Sequence, residues 1–228
     1  MKLILFDIDG TLIRTHGIGK TLMAEACSEI AGVPLDASAV VFSGRTDPAI
    51  VSDILRLGGI DAIEQARLIP ACLDRYMSLA SARMATRAVE PCLGVIELLE
   101  ALQRHPSVHL GIVTGNLERA AHLKLERAGL AAYRWIAGGF GSDHRDRNRL
   151  PRMAVNRYTH TTGRKPRGHD VVVLGDTAAD IVCAHDGGYR AVAVATGHYD
   201  MDHLRGHGPD ALLADLSQRQ DVFEAIGL

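Results

Sequence analysis

The sequence predicts an α/β protein in which a doubly wound parallel sheet carries a small all-helical cap domain. Two observations lead to this fold class. Apolar runs of strand length alternate with stretches of helical periodicity over most of the chain, while one long stretch near the N-terminus has helical periodicity alone. Strands that alternate with helices form a parallel sheet with helices on both faces, because the crossovers between parallel strands are right-handed.

The strands are predicted from short, mostly aliphatic runs that end at Gly, Asp or Thr, as strands buried on both faces do. These runs are 3–6, 108–113, 171–174, 191–195 and 211–213. Helices are predicted between and after them, at 95–103, 117–128, 153–161, 178–185 and 217–226.

The alternation is interrupted by a helical insertion. From about residue 15 to about residue 88, apolar positions recur at helical spacing and no strand pattern is found. The insertion follows the turn after the first strand and returns at Glu90-Pro91. It is therefore expected to lie above the edge of the sheet where that strand ends. The predicted domains are a core, 1–14 and 89–228, and a cap, 15–88.

The composition is that of an ordinary globular protein. The chain has 228 residues, of which 47% are hydrophobic and 23% are charged, so it can bury one substantial core or a core with a small second domain. A formal net charge of -2 argues against nucleic acid or a membrane as the main partner. The sequence contains neither an apolar run of about 18 residues nor a signal-peptide pattern, so the expected location is the cytoplasm.

The cysteines and the C-terminal histidines are not predicted to bind a metal. The cysteines lack the C-x-x-C spacing and are predicted to be small buried hydrophobes rather than a zinc site or a disulfide framework; they are Cys27, Cys72, Cys92 and Cys183. The histidines lie among Gly, Asp and Pro and are predicted to belong to a solvated loop; they are His198, His203 and His207.

Polar residues gather at the ends of three predicted strands, in the stretches FDIDGT, IVTGN and LGDTAAD. The carboxyl ends of parallel strands meet at one edge of the sheet, so these residues are expected to converge. Four carboxylates at that edge would repel one another unless a cation lay among them. Oxygen ligands without neighbouring Cys or His favour Mg²⁺ over zinc. The candidate metal ligands are Asp7, Asp9, Asp176 and Asp180.

The combination of DIDGT, Thr114 at a strand end and GDTAAD resembles the signature motifs of the haloacid dehalogenase superfamily of phosphohydrolases, with a helical cap inserted after the first motif. The resemblance extends over essentially the whole chain and is strongest to phosphoglycolate phosphatase-like members. It implies a Rossmann-like core, a Mg²⁺ cofactor and a small phosphorylated substrate. The alternative, in which each aspartate is only an N-cap or turn residue, does not account for the whole set.

The resemblance also implies a role for each aspartate. Asp7 would be the nucleophile that forms an aspartyl-phosphate. Asp9 would be the general acid and base, and the neighbouring carboxylates are expected to raise its pKa so that it binds substrate protonated. Mg²⁺ would be held by Asp7, the backbone carbonyl of Asp9 and Asp176. Asp180 would orient the metal site through water or loop amides.

The second motif is expected to bind the phosphoryl group. The resemblance implies that the Thr114 hydroxyl and the Gly115 N–H contact phosphoryl oxygens, and that Asn116 also contacts the substrate. The carboxylate at position 9 favours a phosphatase, because dehalogenases and ion pumps of the superfamily lack it. Phosphonate cleavage in the superfamily requires a cap lysine, and the one lysine of the insertion, Lys20, falls on its first predicted helix near the hinge, which disfavours that role.

The cap stretch FSGRTD resembles a loop that reaches into the site in phosphoglycolate phosphatase-like and β-phosphoglucomutase-like members. Arg45, with Thr46 beside it, would bind a substrate carboxylate or a second phosphate. In the alternative interpretation, Ser43 or Thr46 caps a helix that begins near Pro48 and Arg45 is merely exposed.

Members of the superfamily use a lysine or an arginine to neutralise the nucleophile and the phosphate, just before the helix that precedes the GDTAAD strand. Lys165 is too late, because only nine residues separate it from Gly175 and the predicted strand occupies part of them. Arg147 keeps roughly the distance from the helix that the resemblance implies and is the predicted residue. Arg149 is the second choice, and Arg145 lies further away.

These observations favour a Mg²⁺-dependent phosphatase that hydrolyses a small phosphorylated metabolite through an aspartyl-phosphate. A phosphotransferase of the phosphomutase type would share every catalytic residue and differ in how the cap excludes water. A non-catalytic phosphate-binding protein is the third hypothesis, which the intact set of motif residues disfavours. The protein is expected to be a monomer or a homodimer.

Overall fold

A sheet of six parallel strands forms the centre of the computed structural model, which describes residues 1–84 and 89–228. The strands in these residues are β1 (Lys2–Phe6), β2 (Ile13–Arg14), β3 (Glu90–Pro91), β4 (Val108–Thr114), β5 (Trp135–Phe140), β6 (Val171–Gly175), β7 (Arg190–Val194) and β8 (Ala211–Leu213). Their order in the sheet is β5-β4-β1-β6-β7-β8, while β2 and β3 form a separate antiparallel pair.

The first strand lies in the middle of the sheet, where both of its faces are covered. Its side chains alternate between the faces: Ile4 and Phe6 belong to one hydrophobic cluster, and Leu3 and Leu5 belong to the other. All four are fully buried. The arrangement confirms the predicted doubly wound parallel sheet.

The helices are α1 (Ile18–Ala31), α2 (Asp47–Leu57), α3 (Ala62–Arg83), α4 (Val95–Arg104), α5 (Glu118–Arg127), α6 (Leu150–Thr162), α7 (Ala178–Gly187), α8 (Met201–Arg205) and α9 (Arg219–Ile226). Residues of α4, α5 and α9 pack on the sheet face that carries Ile4 and Phe6, and residues of α6 and α7 pack on the opposite face. In the part of the chain that the structure describes, no helix combines the length and the apolar character needed to cross a membrane.

The carboxyl ends of the three central strands meet at one edge of the sheet. Phe6, the last residue of β1, is in register with Ile112 of β4 and Leu174 of β6. The polar residues that follow these strands therefore leave the sheet at the same edge, where parallel α/β sheets bind their ligands.

The cap stretch of the sequence contains α1, α2 and α3, which follow β2 and precede β3. Ile13 pairs with Pro91 and Arg14 with Glu90, so the chain leaves the core and returns to it at adjacent points. The predicted end of the cap domain, at residue 88, lies outside the described residues.

Strand β5 was not predicted from the sequence. Its stretch, WIAGGF, contains Gly138 and Gly139, and glycine weakens the strand pattern. A Cβ atom on Gly139 would lie 2.1 Å from the carbonyl oxygen of Leu150. The glycine is therefore required for the close packing of β5 against the start of α6, which is a reason that appears only in three dimensions.

The predicted C-terminal histidine loop is partly helical. His203 lies in α8, and its backbone N–H donates to Oδ1 of Asp200 at 2.8 Å, which caps the helix. The prediction of a loop was wrong at this point because a helix of 5 residues is too short to produce a recognisable apolar period.

The cysteines are buried, as predicted for small hydrophobes; they are Cys27, Cys72, Cys92 and Cys183. Cys27 and Cys72 lie in α1 and α3, and Cys183 lies in α7. These thiols are therefore part of the packed interior rather than of the solvent-facing surface.

Candidate active site

A cavity of about 630 Å³ lies at the carboxyl edge of the sheet. Its core wall includes Asp7 after β1, Thr114 at the end of β4 and Asp176 after β6. Its cap wall includes Lys20 of α1 and Arg45 of the loop before α2. The convergence that was predicted for the strand-end residues is therefore present, and the cap supplies the opposite wall.

Three of the four predicted carboxylates form a buried cluster. Oxygen atoms of Asp7, Asp176 and Asp180 all lie within 4.8 Å of one another. Glycines make room for one of them, because a Cβ atom on Gly10 would lie 2.3 Å from Oδ2 of Asp176 and one on Gly197 would lie 1.7 Å from the same oxygen. A side chain at either position would therefore clash with the Asp176 carboxylate.

The cluster contains one buried arginine among the described residues, Arg147. Its Nη2 lies 3.2 Å from Oδ1 of Asp7 and also forms an ion pair with Asp180. Arg149 points elsewhere: its side chain is 67% exposed and its Nε is 3.9 Å from Asp146. Lys165 is exposed. Of the candidates weighed from the sequence, Arg147 is thus the one that the fold brings to the predicted nucleophile.

Asp180 has a structural role as well as its place in the cluster. Its Oδ2 accepts hydrogen bonds from the backbone N–H of Thr177 at 3.1 Å and from the Thr177 hydroxyl at 2.7 Å. This is a capping box at the start of α7. Because Oδ1 pairs with Arg147, Asp180 connects the loop after β6 to the buried arginine.

Burial makes Asp7 and Asp176 reluctant to ionise. Burial raises the pKa of Asp7 to about 7; Arg147 acts in the opposite direction, and Asp180 and Asp9 add to the increase. Burial, with the charges of Asp7 and Asp180, also raises the pKa of Asp176 well above its ordinary value. A donor set of buried carboxylate oxygens fits a hard divalent cation such as Mg²⁺, which would favour the ionised forms.

The side chain of Asp9 does not join the cluster. Its Oδ2 lies 2.5 Å from Nζ of Lys124 and 2.7 Å from Nδ2 of Asn116, and its Oδ1 accepts from Thr15 at 3.3 Å. Burial raises the pKa of Asp9, but the Lys124 charge and these hydrogen bonds outweigh it, so the pKa is below its ordinary value. The expectation of a raised pKa was wrong, because it counted the neighbouring carboxylates and overlooked Lys124.

Lys124 is the site residue that the sequence analysis missed. It lies on α5 and is only 6% exposed. The buried residues of α5 are Ala120, Ala121, Lys124 and Leu125, so the lysine occupies the apolar face of the helix. The sequence offered one signal for this role. Lys124 falls where the helical period of apolar residues predicts burial, and lysines are rarely buried without a partner.

The second motif provides one hydroxyl that can face a phosphoryl oxygen. Thr114 is 1% exposed, and its Oγ1 accepts hydrogen bonds from the Asn116 side chain at 2.8 Å and the Asn116 N–H at 3.4 Å. Since the oxygen is the acceptor in both bonds, the Thr114 hydroxyl proton can be donated to a ligand. Both Nδ2 hydrogens of Asn116 are used, on Thr114 and Asp9, so its side chain orients these two residues at the wall of the cavity.

The cap loop docks directly on the second motif. The carbonyl oxygen of Gly115 accepts from the Asp47 N–H at 2.7 Å, and Oδ2 of Asp47 accepts from the Leu117 N–H at 2.8 Å, at the start of α5. A Cβ atom on Gly115 would lie 2.0 Å from the carbonyl oxygen of Arg45. Glycine at 115 therefore permits the approach of the cap backbone to the core.

Thr46 is used for capping and docking. Its Oγ1 accepts from the Ala49 N–H at 3.4 Å, as the N-cap of α2, and donates to the carbonyl oxygen of Arg145 at 2.7 Å. With 1% exposure it has no surface left for a substrate, so its predicted substrate contact gives way to the capping alternative. The neighbouring Arg45 is partly exposed, and its Nη2 lies 2.8 Å from Asp53.

The sequence has similarities that agree with this geometry. It matches the family model described as haloacid dehalogenase-like hydrolase over residues 4–194. It is 26% identical over 229 residues to the pyrophosphatase PpaX of Oceanobacillus iheyensis, covering 100% of this chain and 97% of that protein. It is 27% identical over 224 residues to a phosphoglycolate phosphatase of Pseudomonas syringae pv. syringae, covering 94% of this chain and 77% of that protein.

Among solved structures, CbbY from Rhodobacter sphaeroides in complex with phosphate has a TM-score of 0.72 at 16% sequence identity, and the match covers 100% of both chains. At this level of identity the likeness concerns the fold alone. It agrees with a parallel sheet flanked by helices.

The pKa of Asp7 predicts how a divalent cation affects stability. Because this pKa is raised to about 7, the contribution of Asp7 to stability is present at low pH and is lost as the pH rises through about 7. A cation binds the ionised cluster.

We therefore expect Mg²⁺ to raise Tm more at pH 8 than at pH 6. The measurement is thermal unfolding in a metal-free buffer and in the same buffer with added Mg²⁺. Asp176→Asn is the matched variant and should reduce the increase at pH 8. Equal increases at both pH values would contradict the assignment.

Proposed function

The chain belongs to the haloacid dehalogenase-like hydrolase family, and we propose that it is a Mg²⁺-dependent phosphatase that hydrolyses a small phosphorylated metabolite through an aspartyl-phosphate on Asp7. The observation that carries this proposal is the buried ion pair between Asp7 and Arg147 at the wall of the cavity. It presents a carboxylate nucleophile beside a fixed positive charge. The phosphatase names of two relatives support the same reaction class.

Asp7 attacks phosphorus in the first step. One carboxylate oxygen forms a bond to phosphorus, and the bond between phosphorus and the leaving oxygen breaks, which divides one difficult displacement into two easier ones. Arg147, held by Asp180, keeps its positive charge beside the reacting oxygens as negative charge develops. The Thr114 hydroxyl donates to a phosphoryl oxygen and fixes the orientation of the group.

Asp9 carries protons in both steps. As an acid it gives a proton to the leaving oxygen, and as a base it takes one from the water that attacks the phosphoryl group on Asp7. The base role suits a carboxylate that Lys124 keeps ionised. The acid role needs a proton on Asp9, which the negative charge of a bound phosphoryl group favours.

The metal would be held by Asp7, Asp176 and the backbone carbonyl of Asp9. When bound, Mg²⁺ supplies positive charge to the phosphoryl oxygens and to the nucleophile. Asp180 acts indirectly, since it holds the Thr177 amide of the loop that follows Asp176.

The cap side of the cavity suits a substrate with a second acidic group. Arg45 and Lys20 both line it, and Nζ of Lys20 lies 5.5 Å from the centre of the Phe42 ring. The names of the two relatives refer to pyrophosphate and phosphoglycolate, which each carry an anionic group beside the phosphate that is removed. We infer the same feature for this substrate.

A phosphate-release assay tests the proposal. The panel contains phosphoglycolate, pyrophosphate, several sugar phosphates and an aryl phosphate, each with Mg²⁺ and with a chelator. We expect Mg²⁺-dependent release of phosphate, fastest from a substrate with a second anionic group. Transfer between sugar positions without release would favour the phosphomutase alternative. Binding without either reaction would favour the non-catalytic one.

Replacement of Asp7 by asparagine should abolish turnover and leave the fold intact, because the amide keeps the shape of the carboxylate but is not a nucleophile. The measurement is steady-state phosphate release, with circular dichroism and Tm as the check on folding. A variant that keeps more than a few per cent of the activity would contradict the covalent mechanism.

Arg147→Ala should lower kcat by at least about a hundredfold, as expected for the loss of one charge-stabilising group. Arg149→Ala and Lys165→Ala are the controls, and both should stay close to the wild type because these side chains are exposed. A collapse of activity in either control with Arg147→Ala unaffected would overturn the assignment.

Arg45→Ala should raise KM for the preferred acidic substrate far more than KM for an aryl phosphate, if Arg45 binds the part of the substrate that does not react. Arg56→Ala is the matched control, since Arg56 also pairs with Asp53, at 3.3 Å, but lies on an exposed face of α2. Equal effects of Arg45→Ala on both substrates would mean that Arg45 is merely exposed and does not bind the substrate.

A further inference from the structure

We propose that Lys124 is the positioning residue of the acid–base catalyst. This inference rests on the proposed function, because it takes Asp9 as the group that moves protons. Lys124 reaches the site from α5, which follows the second motif, and its side chain is 7% exposed. Neither the sequence motifs nor the family resemblance gives a role to a residue on this helix.

The ammonium group closes a ring of three side chains. Nζ of Lys124 lies 2.5 Å from Oδ2 of Asp9 and 2.6 Å from Oδ1 of Asn116. Nδ2 of Asn116 in turn lies 2.7 Å from the same oxygen of Asp9. Each member therefore contacts the other two, and a change in the position of one alters both remaining contacts.

The ring fixes a carboxylate that packing alone does not fix. The side chain of Asp9 is 37% exposed, so it borders the open cavity rather than a close-packed interior. Two donors hold its Oδ2, and the more distant Thr15 hydroxyl, at 3.3 Å, holds its Oδ1. Hydrogen bonds therefore set the rotamer of Asp9, and the shortest of them comes from Lys124.

Lys124 also connects the acid–base group to the phosphoryl site. Asn116, which it holds through Oδ1, donates to Oγ1 of Thr114 at 2.8 Å. The side-chain amide of Asn116 thus holds the Asp9 carboxylate and the Thr114 hydroxyl at a fixed distance from each other. Burial raises the pKa of Asp47 in the cap to about 6, and the charge of Lys124 acts in the opposite direction.

The burial of Lys124 makes these contacts obligatory. A lysine ammonium that is removed from water is stable only when it is paired and hydrogen-bonded. Asp9 and Asn116 provide that pairing, so the lysine and the catalytic carboxylate hold each other in place. Two of the three ammonium hydrogens are used in this way.

The test compares two leaving groups in Lys124→Met, which keeps the length of the side chain and removes its charge. The value of kcat/KM reports only the steps up to departure of the leaving group. In that step an alkoxide leaving group needs a proton from a general acid, whereas dinitrophenolate is stable enough to leave without one. We expect kcat/KM for an alkyl phosphate to fall by at least about thirtyfold, and that for 2,4-dinitrophenyl phosphate by less than about threefold. Lys165→Met is the control and should match the wild type with both substrates.

Two outcomes would overturn the proposal. Equal losses of kcat/KM with both substrates would indicate a general structural role for Lys124, and a higher KM for both substrates with kcat unchanged would indicate a direct contact with the phosphate. If Lys124→Met does not fold, Lys124→Gln replaces it, with the same difference expected between the substrates.

Crystal structures of the wild type and the variant provide a readout that needs no turnover. We expect the Asp9 carboxylate to leave its position beside Asn116 in the variant, and an unmoved carboxylate would overturn the proposal. If the wild type hydrolyses neither substrate, the proposed function is wrong, whereas the pair of structures still decides the positioning role.

Discussion

Two carboxylates leave one buried strand two residues apart, and each is matched by its own buried cation. Asp7 pairs with Arg147, and Asp9 pairs with Lys124. Without these pairs the buried Asp7 and the buried Lys124 would each hold an uncompensated charge away from water, which is strongly unfavourable. The two cations come from different elements, a turn before α6 and the middle of α5, so the site requires the elements that pack on opposite faces of the sheet.

The cap is joined to the same motif that binds Asp9. Asp47 of the cap accepts from the Leu117 N–H at the start of α5, and Lys124 lies further along that helix. The Asp47 carboxylate thereby satisfies a helix N-terminal amide that has no partner within the helix. Closure of the cavity and placement of Asp9 therefore depend on one short helix.

The sequence was informative wherever spacing along the chain corresponds to spacing in the fold. DIDGT at a strand end predicted the position of Asp7, and the short distance from Lys165 to Gly175 excluded Lys165 in favour of Arg147. It failed where the reason for a residue is tertiary. Gly139 of β5 is explained by contact with the start of α6, and the bond between Asn116 and Lys124, 8 positions along the chain, was not predicted. The same omission reversed the expected direction of the pKa of Asp9.

Capture of the phosphorylated enzyme tests the central claim most directly. The protein is mixed with substrate and Mg²⁺, quenched in acid after a single turnover, treated with borohydride and analysed by peptide mass spectrometry. Borohydride reduces an aspartyl-phosphate to homoserine, so the account predicts homoserine at position 7 and unmodified aspartate at positions 9, 176 and 180. Homoserine at another position, or turnover that leaves position 7 unmodified, would contradict it.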